Sequence, residues 1–536
     1  MPTLETSSTQ SKRVDWRLAA AVFAVAAAAM WLLWANRFFL SLDEGIYLAG
    51  AERILSGQAP YRDFFAITGP GSFWIQAALL GLLGPTLRHA RLALVFDLAL
   101  LATAVYWLSA RLTGKLFALG VAAFFFAVET RPLFRLYVNH RWDSSAFGML
   151  AVVLMFAATE WPGFLLFLAA GMAAAIAAWI TPSLLAVLAI LGLWLLLIKE
   201  LRPGWLPYLL GILSVSLLAG GVLFFQGALL PMFRDLLWTS AHYPGANRVP
   251  YGYGAIAPGG LRAVFAGARG AAVLARATGV IAVLLPVVLP LAVYAAWIVR
   301  RLRHGVMDQG EKLATLLMMA SFGFVISTYP RWSADQLLFI APIFYILAGY
   351  LLDRMLTGKK VFRAAAGVCL SALALGALSY SVLNVTSEPV IETRVGRVRA
   401  TPAAQSILKL AGGRIRPGDS LFVYPYMPIV YFITGGQNPT RYSFLQPGMM
   451  GPEDYNEALT ELRAHPPQWV FYFGLQLATY HGIWPAANPA ALEPTPVDHF
   501  ILTGYHPVGI LRNASTDFFL LERVEGAPTG EMNIAP

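Results

Sequence analysis

Long apolar runs recur from Leu18 to about Tyr380, and several reach the roughly 20 residues that a helix needs to span a bilayer. A soluble helix of that length carries a charged face toward water, and these runs do not. Only 13% of the 536 residues are charged, about half of what soluble domains carry. The first two-thirds of the chain is therefore expected to be a polytopic α-helical membrane protein. A coarse reading places about eleven spans at 18–38, 91–110, 115–130, 142–160, 163–180, 183–198, 206–225, 270–299, 313–328, 336–354 and 362–384.

The net charge of +10 does not read as a nucleic-acid footprint, because much of it sits in short loops between apolar runs. With the N-terminus in the cytoplasm, the clusters Arg111 with Lys115, Lys199 with Arg202, Arg300, Arg301 and Arg303 with Lys312, and Arg354 with Lys359 and Lys360 all fall inside. Six of the seven lysines obey this orientation; only Lys409 lies outside. Lys12, Arg13 and Arg17 precede an apolar run that continues through Trp34, longer than a signal-peptide core, so it reads as a retained anchor. Cys369 is the lone cysteine, which excludes an intrachain disulfide or a cysteine metal cluster.

Residues 71–84 are apolar but short and are followed by Pro85, so they read as an interfacial or re-entrant helix. The expected organisation is a cytoplasmic tail over 1–17, a transmembrane domain over 18–386 with a large first outer loop over 41–91, and an extracytoplasmic domain over 387–536. The last region holds strand-like runs at 420–424 and 469–473 around a helix at 452–465, which suits an α/β or α+β soluble domain. An odd number of spans places it outside. The setting expected is a bacterial inner membrane.

The first loop opens with Asp43 and Glu44, two adjacent carboxylates just beyond a span, where they are unfavourable unless solvated or used. Taken alone, they also suit the start of a short interfacial helix, with Asp43 as its N-cap and Glu44 in its first turn. The loop continues through Pro60, Tyr61, Arg62, Asp63 and Phe64 to Gly69, Pro70 and Gly71. The whole passage resembles the first extracytoplasmic loop of bacterial GT-C glycosyltransferases, in the branch related to protein O-mannosyltransferases and to aminoarabinose transfer onto lipid A.

That resemblance implies a GT-C fold and a donor sugar carried on a polyprenyl phosphate. It implies that the acidic residue opening the loop is catalytic; Asp43 matches it, with Glu44 as its neighbour. Ala90-Arg91-Leu92 resembles the segment whose arginine helps hold the carrier phosphate, and Pro330-Arg331 resembles a late outer-loop motif. The run from Gly418 through Tyr442 resembles the soluble region of the same branch. Two departures stand out: Gly69-Pro70 where many relatives have two prolines, and Gln336 near a position often held by histidine.

The chemistry agrees with the resemblance. Sugar transfer from a phosphodiester needs a carboxylate to take the acceptor proton and cations to stabilise the departing phosphate. Asp43 suits the first task; Arg91 and Arg331 suit the second, since guanidinium chelates phosphate oxygens, although an arginine at a span end also snorkels to headgroups. Asp63, His140, Arg141 and Asp143 are candidates for site support. Asp143 reads equally as an N-cap or a partner of Arg141, and His140 as a hydrogen-bonding residue rather than a ligand. No cofactor is required, and a divalent cation between Asp43 and Asp143 is compatible with the residues, though no spacing demands one. The loop from 231 to 269 carries His242-Tyr243-Pro244 and suits either a flap or an interfacial anchor. Asp97 falls inside the second span and is expected to face the bundle.

The expected activity is inverting transfer from a polyprenyl-phosphate sugar to a lipid, glycan or protein acceptor. Inversion follows from the resemblance. The rival class is a transporter or flippase of lipid-linked glycans, which accounts for the spans and arginines but not for the acidic first loop or the large C-terminal region. No internal repeat of the kind found in transporters is seen. A third option, an oligosaccharide ligase or polymerase, uses similar donors.

Overall fold

The computed structural model describes residues 15–130, 136–256, 261–304, 309–356, 358–512 and 516–524. Lys12, Arg13 and Arg135 lie outside them. A helix occupies each of the eleven positions read from the apolar runs, from Trp16–Leu33 and Leu92–Leu112 to Ala341–Met355 and Lys360–Ser387. Among the described residues, six helical stretches are long and apolar enough to cross a membrane: Trp16–Leu33, Leu87–Leu112, His140–Glu160, Lys199–Phe225, Gln309–Ser327 and Val361–Ser387. Some of their starts are marked by side-chain caps. Asp15 accepts from the Arg17 amide and Asn139 from the Arg141 amide, each satisfying an orphan donor of its helix.

Ion pairs close one end of the bundle. Lys115 lies 3.7 Å from Asp15, Arg111 lies 2.7 Å from Glu160, and Arg363 lies 2.6 Å from Asp353. The first loop and the C-terminal region occupy the other end.

The segment 71–84 forms the helix Gly71–Leu83. At 13 residues it is about 20 Å long, well short of the bilayer core. Ser72, Phe73, Gln76, Ala77 and Leu80 are buried on one side, packed against the first-loop helix Glu44–Leu55, while Leu82 and Leu83 are exposed.

The C-terminal region contains a four-stranded mixed sheet. Leu421–Tyr424 runs parallel to Trp469–Leu475, which pairs antiparallel with Thr516–Arg523, and that strand pairs antiparallel with Tyr505–Arg512. The helix Pro452–Ala464 lies on the crossover between the two parallel strands. A hairpin, Val390–Thr393 with Gly396–Ala400, accepts a third strand from far away: Arg37–Phe38, directly after the first membrane helix, runs parallel to Arg399–Ala400.

Packing does not divide the chain at residue 387. One apolar core belongs to the helix bundle. The second is shared: Ile46, Tyr47, Phe64, Phe73 and Leu80 of the first loop are buried in the same cluster as Phe422, Ile429, Phe444 and Phe471. Gly45 shows how close the approach is, because a Cβ there would sit 1.8 Å from the Ile429 backbone nitrogen. Polar ties reinforce the seam. Arg394 pairs with Glu52 at 2.9 Å, Arg53 donates to the Thr440 carbonyl at 2.9 Å, and the Phe65 amide donates to the Arg441 carbonyl at 3.0 Å. The first loop and the C-terminal region therefore fold as one layer on the bundle.

Candidate active site

Asp43 holds the N-cap position of the helix Glu44–Leu55, yet its carboxylate makes no capping hydrogen bond. Ser41 takes that duty, its hydroxyl accepting from the Glu44 amide at 3.2 Å. Asp43 thus takes the cap position without the capping bond, and its carboxylate is released from the helix it precedes. It is instead gripped from two other parts of the chain. Oδ1 accepts from the Tyr426 hydroxyl at 3.0 Å, and Oδ2 accepts from the Tyr137 hydroxyl and the Asn139 amide, each at 3.3 Å. Asn139 is oriented by its other task, since its side-chain oxygen accepts from the Arg141 amide at 2.8 Å and leaves the nitrogen to face Asp43.

The surrounding charges set the state of this group. Part of Asp43 remains accessible, but protein packed around it raises the carboxyl above the ordinary carboxylate range, since burial disfavours the charged form. Donation by Tyr426 and the positive charge of Arg331 act against that rise, and the nearby Asp335 adds to it. Burial, and then the Asp43 charge, push the Tyr426 hydroxyl well above the usual phenol range, so it stays a donor.

Arg331 opens the strand Arg331–Ser333, which pairs in parallel with Val249–Tyr253. One of its guanidinium nitrogens donates to the Ile483 carbonyl at 2.9 Å. The loop containing His242 and Tyr243 is ordered as the helix Leu229–Asn247 and this strand; Trp238 and His242 stack with centroids 4.4 Å apart.

Glu44 and Arg91 do not face the open part of the site. They form a two-pronged pair, Nε to Oε1 and Nη2 to Oε2 at 2.9 Å each, with side chains 0% and 1% exposed. The remaining nitrogen of Arg91 donates to the Trp34 and Arg37 carbonyls. Every guanidinium nitrogen is thus engaged inside the protein, in contacts other than the carrier-phosphate contact expected of Arg91. Glu44 also accepts from the Val138 amide at 3.1 Å, between Tyr137 and Asn139. The pair positions the segment that holds Asp43.

The other expected residues part company. Asp63 pairs with Arg62 at 2.7 Å and accepts from the Ala59 amide, and Arg62 holds it below the usual carboxylate range. The partners of its carboxylate are local, within the turn from Ala59 to Asp63, rather than Asp43. His140 meets the Thr181 hydroxyl at 2.7 Å and the Tyr47 ring at 5.7 Å. Arg141 donates to the Ser327 carbonyl at 2.7 Å rather than pairing with Asp143. Asp143 accepts from Ser72 and interacts with the Asp97 carboxyl, so the buried Asp97 has a partner inside the bundle. Among the described residues no three His, Cys, Asp or Glu side chains group closely enough to hold a metal ion. Arg331 already supplies positive charge beside Asp43 and Asp335.

Tyr426, Asp335 and Asn139 were not singled out from the sequence. Asn139, directly before the helix His140–Glu160, carries a readable signal as a helix cap. Tyr426 lies 383 residues from Asp43, and no local pattern joins them. The departure at Gly69 has a local cause. Its amide donates to the Ile180 carbonyl at 3.1 Å, and a Cβ would lie 1.9 Å from the Trp179 carbonyl oxygen, so a proline cannot stand there.

No family model matches the chain, and no curated protein matches it. Solved structures do. ArnT from Cupriavidus metallidurans in the apo state superposes with a TM-score of 0.55 at 16% identity, covering 94% of this chain and 98% of that one. The same protein bound to undecaprenyl phosphate gives 0.54 at 14% identity, with 95% and 98% covered. The Archaeoglobus fulgidus oligosaccharyltransferase, tethered with an acceptor peptide, gives 0.51 at 11% identity, with 94% and 74% covered. At these identities the likeness establishes the fold: this is a polytopic α-helical membrane protein of the GT-C type with a strand-containing C-terminal region.

Proposed function

We propose that this GT-C chain is a membrane glycosyltransferase that moves a sugar from a polyprenyl-phosphate carrier to a hydroxyl-bearing acceptor, with inversion at the anomeric carbon. The observation that carries this reading is Asp43, a carboxylate freed from capping, held by three side-chain donors and set within the field of Arg331. The neighbours support the donor class, since ArnT binds undecaprenyl phosphate.

In the step proposed, Asp43 takes the acceptor proton as the acceptor oxygen bonds to the anomeric carbon. The bond from that carbon to the carrier phosphate breaks on the opposite face, and its electrons leave with the phosphate. Arg331 stabilises the extra negative charge of the released carrier phosphate. Tyr426, Tyr137 and Asn139 keep Asp43 ionised against its burial. Glu44 and Arg91 hold the framework rather than substrate. The acceptor class stays a lipid, glycan or protein.

The lysine distribution supports a bacterial inner-membrane placement with the N-terminus cytoplasmic and Asp43 extracytoplasmic. The direct test is transfer from radiolabelled polyprenyl-phosphate sugars in membranes carrying wild type or Asp43→Asn at equal expression. Wild-type transfer that collapses by at least about 100-fold in the variant supports the reading. Equal transfer by both removes Asp43 from the chemistry, and no transfer by wild type favours the transporter class.

A further inference from the structure

A second basic site lies at the rim of the bundle. A cavity of about 370 Å³ opens between the end of the first membrane helix, the short helix Leu87–Ala90 and the hairpin Val390–Ala400. Asn36, Thr86, Arg88, His89, Arg397 and Arg399 supply its polar lining, and no carboxylate joins them. The volume falls within the range of small-ligand sites.

The arginines here are poorly neutralised. Glu388 is taken by Arg37 through bonds of 2.8 and 2.6 Å. Glu392 pairs only with Arg397, and both side chains are about three-quarters exposed, so that pair contributes little. Arg88 reaches the Trp31 carbonyl at 3.4 Å, and its Nε is buried without a hydrogen-bond partner. Arg399 reaches only the Thr386 and Glu388 carbonyls, each at 3.4 Å. A buried guanidinium donor left unpaired is unfavourable unless a ligand completes it.

The placement selects the ligand. Arg88 lies 4.2 Å over the Trp31 ring in the last turn of the first membrane helix, and Thr386 lies in the last turn of the helix Lys360–Ser387. Tryptophan and arginine at helix ends mark the headgroup level of a bilayer. On the same helix ends, Leu32, next to Trp31 in sequence, and Leu383, three residues before Thr386, are 66% and 70% exposed, an apolar flank for acyl chains. A phosphate fits the guanidinium forks, and an attached apolar tail fits the flank.

We propose that this cavity binds the phosphate headgroup of an anionic membrane lipid. The inference does not rest on the transfer reading, because none of the Asp43 partners lines the cavity.

The test uses the full chain in detergent and native mass spectrometry with phosphatidylglycerol, phosphatidylcholine and inorganic phosphate as probes. Wild type is expected to retain phosphatidylglycerol at least about tenfold more than phosphatidylcholine, the worth of one charge-assisted contact. Arg88→Gln with Arg399→Gln is expected to abolish that preference. Arg416→Gln with Arg512→Gln, an equal charge loss at exposed positions, is expected to keep it. Because Arg88 packs on Trp31, Arg399→Gln alone serves as the milder variant, with a reduced preference at an unchanged melting temperature. Equal retention of both lipids, or the same loss in the control pair, overturns the proposal. Binding of inorganic phosphate alone that displaces phosphatidylglycerol also overturns it, by assigning the site to free phosphate.

Discussion

Glu44 and Arg91 meet as a buried two-pronged ion pair, each oxygen 2.9 Å from its guanidinium nitrogen. Through the same carboxylate, Glu44 accepts the Val138 amide, and through its third nitrogen, Arg91 holds the Trp34 carbonyl. Three stretches of chain are thereby clamped beneath Asp43. The adjacent acids that look alike in sequence thus have different partners.

Arg91→Met leaves the Glu44 carboxylate buried and unpaired, and is expected to lower stability by about 3–5 kcal/mol. Adding Glu44→Gln is expected to recover part of that loss. Thermal melting in detergent checks both. A fully folded Arg91→Met protein whose KM for the carrier donor alone rises would restore Arg91 to phosphate binding.

Tyr426→Phe removes a donor that favours ionised Asp43. Asp43 acts as a base only when deprotonated, so activity rises with pH through its pKa, which burial already raises. Without Tyr426 that acid limb is expected to move to higher pH. The pH profile of kcat/KM shows the displacement, which a purely structural role for Tyr426 would not produce.

Arg331→Gln is expected to reduce kcat/KM for the carrier-linked donor about 10- to 100-fold, the worth of one charge-assisted contact. Arg331→Lys keeps the charge but not the fork, and is expected to restore only part. Donor titrations of both variants are the measurement.

Gly45→Ala places a Cβ against the backbone of Ile429, which has no flexible end to give way. Overpacking of this kind typically costs about 1–3 kcal/mol or more. The expected signature is faster proteolytic release of the C-terminal region, read by limited trypsin digestion.

A fragment of residues 387–536 is expected to lack a cooperative unfolding transition, because the first loop completes its core. Circular dichroism melting of the isolated fragment tests this. A sharp transition would make the C-terminal region an independent domain.

The sequence by itself determined the helices and the chemistry on offer. Apolar runs must hide their backbone polar groups in helices when water is absent, so the pattern from Leu18 to Tyr380 has one physical solution. The strand-like runs near 420 and 470 and the helix starting at Pro452 were legible from local periodicity. Asp43 stood out because a carboxylate beside a membrane span demands a reason. The tertiary structure alone decided which groups share a site. Capping by Ser41 rather than Asp43 depends on backbone geometry at the helix start. The partnership of Asp43 with Tyr426 and the burial of Arg91 depend on how the C-terminal region packs onto the first loop. Those contacts join residues hundreds of positions apart through close packing and desolvation, and neither leaves a local sequence pattern.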